Sequence, residues 1–231
     1  MRILADYSYD QLKGIILELN EPEYRAGQIF TALYEGRTID EISNIPRSLK
    51  EKLDAVSTGV SIKEKFISAD GTVKYLFELL DGNLIEGVFM NYKHGNTICI
   101  STQVGCRMNC AFCASGISGL VRNLSAGEMV GQVIQVNSDN GGSIKNRAVT
   151  NIVLMGSGEP LDNYDNVIKF LKNITDERGI NISARNISLS TCGLRDKMIR
   201  LSEEGIPVNL TLSLHAPNDE IRSSIMPINR A

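Results

Sequence analysis

Asn96-Thr-Ile-Cys-Ile-Ser-Thr-Gln-Val-Gly-Cys106-Arg-Met-Asn-Cys110-Ala-Phe-Cys113 carries the information from which the architecture of this chain is best inferred. The apolar run Asn96 to Thr102 reads as a strand and leads into three cysteines spaced C-x3-C-x2-C. A glycine-bearing loop follows, and then an amphipathic helix. Three crowded thiolates can hold three irons of a four-iron cluster and leave the fourth iron to a non-protein ligand. A closed zinc knot needs four protein ligands. Cys192 begins a helix far along the chain and Cys99 lies seven residues before Cys106, so the spacing favours iron–sulfur over zinc.

Outward from this stretch, strands alternate with helices. Ser125-Ala-Gly-Glu128 is a capping box that starts a helix. Strand Thr150–Met155 precedes a helix with Tyr164, Val167, Ile168 and Leu171 on one face. Strand Asn186–Ser190 precedes one with Leu194, Met198 and Leu201, closed by Gly205. Strand Val208–Leu214 comes last. This order implies parallel strands with right-handed crossovers, and places the cysteine loop at a strand's C-terminal end, where such folds keep their active sites. Four parallel strands do not close a barrel of about eight. The sheet is therefore either open and complete or the front part of a longer protein; the second is expected.

Before the cysteine stretch the periodicity differs. Residues 1–57 read as helices: Leu12, Ile15, Ile16 and Leu19 share a face, Pro22 starts a second helix that Gly36 ends, and Ser48–Leu53 adds a third. This unit either packs as a small bundle or docks RNA. In residues 58–93, Val73, Tyr75, Phe77 and Leu79 alternate between the turn signals Asp70-Gly71 and Asp81-Gly82, which predicts a three-stranded antiparallel meander. Residues 94–231 form the third unit.

The chain has 231 residues, 42% of them hydrophobic, with five cysteines and a net charge of -3. That excludes a global basic field, so RNA would be met by local patches. No apolar run approaches a membrane span and the N-terminus has no apolar signal region, so a cytoplasmic protein with no membrane contact is expected. Crowded cysteines fit metal binding in a reducing compartment better than a disulfide framework.

The C-x3-C-x2-C motif after the first strand resembles the radical S-adenosylmethionine (SAM) superfamily. The resemblance implies a partial (β/α) barrel of parallel strands behind the helical unit and the meander, an α/β fold overall. It also implies a [4Fe–4S] cluster on Cys106, Cys110 and Cys113, with SAM on the open iron and a 5′-deoxyadenosyl radical as its product. Cys99-Ile-Ser-Thr-Gln-Val-Gly-Cys106, Cys110-Ala-Phe-Cys113-Ala-Ser, Arg122-Asn-Leu124, Met155-Gly-Ser-Gly-Glu-Pro160, Leu189-Ser-Thr-Cys-Gly193 and Ser213-Leu-His-Ala-Pro-Asn-Asp219 occur in this order. Together they resemble the RlmN family of dual-specificity 23S rRNA and tRNA adenine-C2 methyltransferases, over essentially the whole chain. Val104-Gly105 and Ala216-Pro217-Asn218-Asp219 look more like this family than the sister enzymes acting at adenine C8.

The family match implies that Gly158, Glu159, Ser190, Ser213, Leu214 and His215 contact SAM. Read from chemistry, Glu159 at a strand end accepts from the SAM ammonium and Gly158 admits the ligand to the backbone; an ordinary βα turn is the competing reading of the glycines. Glu86 matches the proton acceptor, and its apolar strand predicts burial and a raised pKa; a solvent-facing edge carboxylate is the alternative. Cys99 matches the cysteine that attacks a methyl-bearing sulfur and releases the product by forming a disulfide; a small buried hydrophobe is the alternative. The methyl-bearing cysteine and a later SAM-contacting asparagine have no counterpart here, so a C-terminally truncated chain is expected. Implied partners are 23S rRNA, tRNA and an electron donor such as flavodoxin or ferredoxin, with the chain a monomer. If such a chain has no complete activity, it remains an iron–sulfur or RNA-binding fragment. Arg107, Arg122, Lys145 and Arg147 are candidate phosphate contacts. His94 is read as a structural hydrogen-bonder.

Overall fold

The computed structural model describes residues 2–93 and 95–230, so the reading of His94 lies outside the described residues. β1 (Arg2–Ile3) pairs in parallel with β2 (Ala55–Val56), bringing the two ends of the first helical segment together. Within it, α1 (Tyr9–Glu18) begins at Ser8, whose hydroxyl accepts from Gln11 N–H while Gln11 Oε1 accepts from Ser8 N–H. α2 (Tyr24–Tyr34) starts just after Pro22, and Gly36, at φ 79°, turns the chain away from it. α3 (Arg47–Leu53) completes the set.

The meander is β3 (Val60–Ile67), β4 (Val73–Leu79) and β5 (Leu84–Tyr92), and it continues into β6 (Gly95–Cys99). Tyr75, Phe77 and Leu79 are buried, as their alternation predicts. The remainder runs β7 (Gln103–Gly105), β8 (Leu120–Asn123), α4 (Ala126–Asp139), β9 (Asn151–Leu154), α5 (Tyr164–Ile174), β10 (Ile187–Thr191), α6 (Arg195–Glu203), β11 (Asn209–Leu212) and α7 (Asp219–Ile225). The capping box at Ser125 forms as read, with Ser125 Oγ accepting from Glu128 N–H and the Glu128 carboxylate from Ser125 N–H.

Among the described residues one sheet of seven strands has the order β11-β10-β9-β6-β5-β4-β3. β6, β9, β10 and β11 are parallel, and β3 to β6 are antiparallel. The division after residue 93 therefore falls between two paired strands, β5 and β6, of one sheet. The strand expected over Asn96–Thr102 stops at Cys99 because side chains take over its bonding. Ser101 N–H donates to Gln132 Oε1 at 2.9 Å, and Ser101 Oγ donates to Glu86 O at 2.7 Å.

The register sorts the sheet into two faces. Phe89, Ile98, Ile152 and Ile187 are mutual partners and all are buried against the helices. Complete burial of each such side chain contributes about 1.5–3 kcal/mol. The next row, Val88, Cys99, Val153 and Ser188, points to the opposite face and is only half-buried. This second face is the inner wall of a partial barrel. One apolar core runs from Leu4 to Leu201. The helical segment is seated on α5 by Tyr34, whose hydroxyl donates to Asn173 O at 3.1 Å, and by Asn173 Nδ2, which donates to Ala5 O at 3.2 Å. No helix among the described residues is long and apolar enough to cross a membrane.

Candidate active site

The cysteine loop leaves the sheet through a narrow neck. Cys106 N–H donates to Gly119 O at 3.0 Å, and a Cβ on Gly105 would stand 1.9 Å from that carbonyl oxygen, so the position requires glycine. Inside the loop, Cys113 N–H donates to Cys110 O at 3.1 Å, and Gly119 N–H donates to Gly116 O at 3.0 Å. Ala111 N–H donates to Ile225 O at 2.9 Å, which fastens the loop to the end of α7. Beneath it Met108, Cys192 and Met226 form a small apolar cluster against Cys106 and Cys110.

Cys106 and Cys110 are half-buried and Cys113 is exposed; all five cysteines are free thiols. Burial pushes the Cys106 and Cys110 thiols up, opposed for Cys106 by the Met108 N–H. Neighbouring thiols and Glu159 push both further in the same direction, so these groups lie within electrostatic reach of one another. Among the described residues no group of three or more His, Cys, Asp or Glu side chains converges on a single ion. A cluster asks for something else, one thiolate at each of several irons. Three adjacent thiols, two of them partly desolvated, match that donor set, and a metal would displace their protons on binding.

Glu159 is 4% exposed, and its carboxylate spans two strand ends. One oxygen accepts from Leu161 N–H at 3.0 Å and the other from Cys192 N–H at 2.8 Å. Each oxygen retains a lone pair for a further donor. Gly158 has φ 102°, and the volume its Cβ would fill belongs to Gln103, 2.5 Å away. Gln103 is fully buried and accounts for this close approach. Its Oε1 accepts from Glu159 N–H at 2.9 Å, and its Nε2 donates to Asn123 Oδ1 at 2.8 Å and Asp162 Oδ2 at 3.0 Å. Asp162 in turn pairs with Arg107 of the cysteine loop. Thus β7, the β9 loop and the cysteine loop are held in one polar network.

Ser190 and Ser213, at the ends of β10 and β11, share a hydrogen bond of 3.1 Å between their hydroxyls. Leu214 is exposed. His215, at φ 57°, sets its ring edge-on to Phe112 of the cysteine loop, with centroids 4.8 Å apart. These residues are thereby joined to the loop side of the sheet.

Glu86 and Cys99 lie on the inner face of neighbouring strands, Glu86 two residues along β5 from Val88, the partner of Cys99. Glu86 corrects an expectation: its side chain is 55% exposed, and Lys74 Nζ lies 2.5 Å from Oε1. Glu86 faces away from the helices, on the side it shares with Leu84, Val88 and Met90, and stays open to solvent there. Cys99 is half-buried; burial pushes its thiol up and the Met155 N–H draws it back.

The arginines near the site are largely engaged in internal contacts. Arg122 donates to both oxygens of the buried Glu128 at 2.8 Å and to Asp81 at 2.6 Å. Arg107 holds Asp162, and Arg147 donates to the carbonyls of Ile180 and Asn181. Lys145 is exposed. Gln103, Asp162, Arg222 and Met226 escaped the sequence reading. Only the polar Gln103 in an apolar strand context offered a signal.

Comparison with known proteins is consistent with this geometry. Residues 100–230 match the model of the radical SAM superfamily. The chain is 49% identical over 233 residues to the probable dual-specificity RNA methyltransferase RlmN of Clostridium novyi (strain NT), covering 99% of this chain and 66% of that protein. It is 46% identical over 233 residues to the protein of the same description from Thermoanaerobacter sp. (strain X514), with the same coverage of 99% and 66%. The crystal structure of a radical SAM methyltransferase from Sphaerobacter thermophilus superposes with a TM-score of 0.93 at 40% identity, covering 100% of this chain and 68% of that one. The chain spans 66% of the length of the two RlmN relatives.

Proposed function

The chain belongs to the radical SAM superfamily and, within it, to the RlmN family, and from that premise we propose that it is the catalytic region of an enzyme that methylates C2 of adenine in 23S rRNA and tRNA. Members of this superfamily use a [4Fe–4S] cluster and SAM, and what this pair supplies when bound is reductive cleavage of a SAM carbon–sulfur bond. Cys106, Cys110 and Cys113 hold the cluster in this reading. Gly158, Glu159, Ser190 and Ser213–His215 bind and orient SAM, with Glu159 offering its spare lone pairs to the ammonium group. Glu86 takes the proton from adenine C2. Lys74 Nζ, 2.5 Å from its Oε1, holds the carboxylate in place on the inner face. Cys99, on the same face, is the thiol that attacks the sulfur carrying the transferred carbon, which is supplied from outside these residues: a sulfur–sulfur bond forms, the sulfur–carbon bond to the RNA breaks, and the released carbon takes a proton to become the methyl group. A flavodoxin or ferredoxin delivers the electron, and the protein works as a cytoplasmic monomer.

The observation that carries this reading is the gathering at one end of the sheet. The cysteine loop touches His215 through Phe112, neighbours Glu159 and rests on Cys192. The test reconstitutes the chain anaerobically with iron, sulfide, reductant and SAM. 5′-Deoxyadenosine is expected from the native chain and none from Cys110→Ala; a chain that never holds iron and sulfide sinks the reading. Adenosines of 23S rRNA and tRNA from cells with and without the gene are then compared by mass spectrometry. Loss of 2-methyladenosine supports the assignment, and loss of 8-methyladenosine instead would overturn it.

A further inference from the structure

Arg222 lies on α7, outside every motif read from the sequence, yet its side chain bonds to the ends of both β10 and β11. Its Nη2 donates to Cys192 O at 2.6 Å and Ser213 O at 3.2 Å, and its Nε donates to Leu214 O at 3.2 Å. Nη1 donates to Asn229 Oδ1, and Asn229 Nδ2 donates to Ser223 Oγ at 2.9 Å, which braces the guanidinium from behind. One side chain thus takes three carbonyls from the ends of two adjacent parallel strands. Those carbonyls lie beyond the last ladder bonds of β10 and β11, where a backbone acceptor needs a partner from elsewhere.

We infer that Arg222 is a positioning residue for the SAM site: its guanidinium fixes the ends of β10 and β11 relative to each other, and so sets where Ser213, Leu214 and His215 stand against the cysteine loop. The inference rests on the reading above that these residues face SAM. The same short helix carries both attachments, because Ile225 O, one turn after Arg222, accepts from Ala111 N–H of the cysteine loop at 2.9 Å. The planar five-donor fork is what the position requires. A lysine brings the charge but one nitrogen, and that nitrogen cannot reach three divergent carbonyls.

The test uses Arg222→Lys and Arg222→Gln in the whole chain, with two readouts. Hydrogen exchange of the cluster-free protein reports on Gly193 and Ser213, whose N–H groups bond to Thr191. Both variants are expected to exchange there about tenfold faster, while β9 and α5 keep native rates. The second readout is the SAM concentration that half-converts the electron paramagnetic resonance spectrum of the reconstituted, reduced cluster. It is expected to rise about tenfold in both variants, with lysine giving no rescue. Unchanged exchange at Gly193 and Ser213 would overturn the inference. So would full rescue by lysine, because charge and not the fork would then be what matters. If the native chain shows no spectral response to SAM, the functional reading fails, and the exchange measurement still decides whether Arg222 fixes the strand ends.

Discussion

Glu159 illustrates how a residue's chemistry can be read from a motif while its duty in the fold is not. Its carboxylate is buried and already bonded to two backbone N–H groups from two different loops. Glu159→Ala leaves both donors without partners. It should lower stability by about 2–4 kcal/mol, seen as a fall in the urea midpoint. The thiols give a second prediction. In the cluster-free chain iodoacetamide should modify exposed Cys113 first and buried Cys192 last, since burial also pushes the Cys192 thiol up. Peptide mass spectrometry over time reads the order. At this scale the cysteine triplet was legible because its spacing is local. The exposure of Glu86 and the bond from Arg122 to Asp81 were not legible because the partners come from elsewhere: Lys74 on the neighbouring strand, and Asp81 forty-one positions earlier.

Helices with a cap and a stripe announce themselves, and α4 and α5 stand where the sequence places them. Ser125→Ala removes the acceptor for Glu128 N–H and should cost about 1 kcal/mol, measured by chemical denaturation. β7, β8 and α7 were not legible. They are short, and their bonds reach to distant partners such as Gly119 and Cys192. Between elements, Tyr75 of β4 donates to Asp139 at the end of α4 at 2.8 Å, and burial with this bond pushes its phenol up to about 12. The folded value lies above the ordinary value of about 10, so the fold favours the neutral phenol. Its contribution is complete below about pH 10 and is lost as the pH rises towards 12. Stability followed by circular dichroism should decline across that interval, and Tyr75→Phe should flatten the decline.

At the scale of the whole molecule, the helical segment, the meander and the parallel strands share one core from Leu4 to Leu201. Calorimetry should therefore show one cooperative transition, with no earlier unfolding of residues 2–57; two separated peaks would contradict this. The order of the elements was legible in the sequence. The continuity of the sheet was not, because it depends on β5 pairing with β6 across the turn. That pairing has a further effect. β6 runs towards the cysteine loop with a parallel neighbour on one side and an antiparallel neighbour on the other, so the Asp81-Gly82 hairpin arrives at the same rim, strapped there by Arg122. The hairpin contributes little to the core, with Leu80 and Leu84 exposed, while at the neck of the cysteine loop Gly105 admits no side chain. Insertions or exchanges at Leu80–Asn83 that keep Asp81 would reshape the mouth of the site at small thermodynamic cost, which makes this turn the natural place for evolution or an engineer to retune which substrates gain entry.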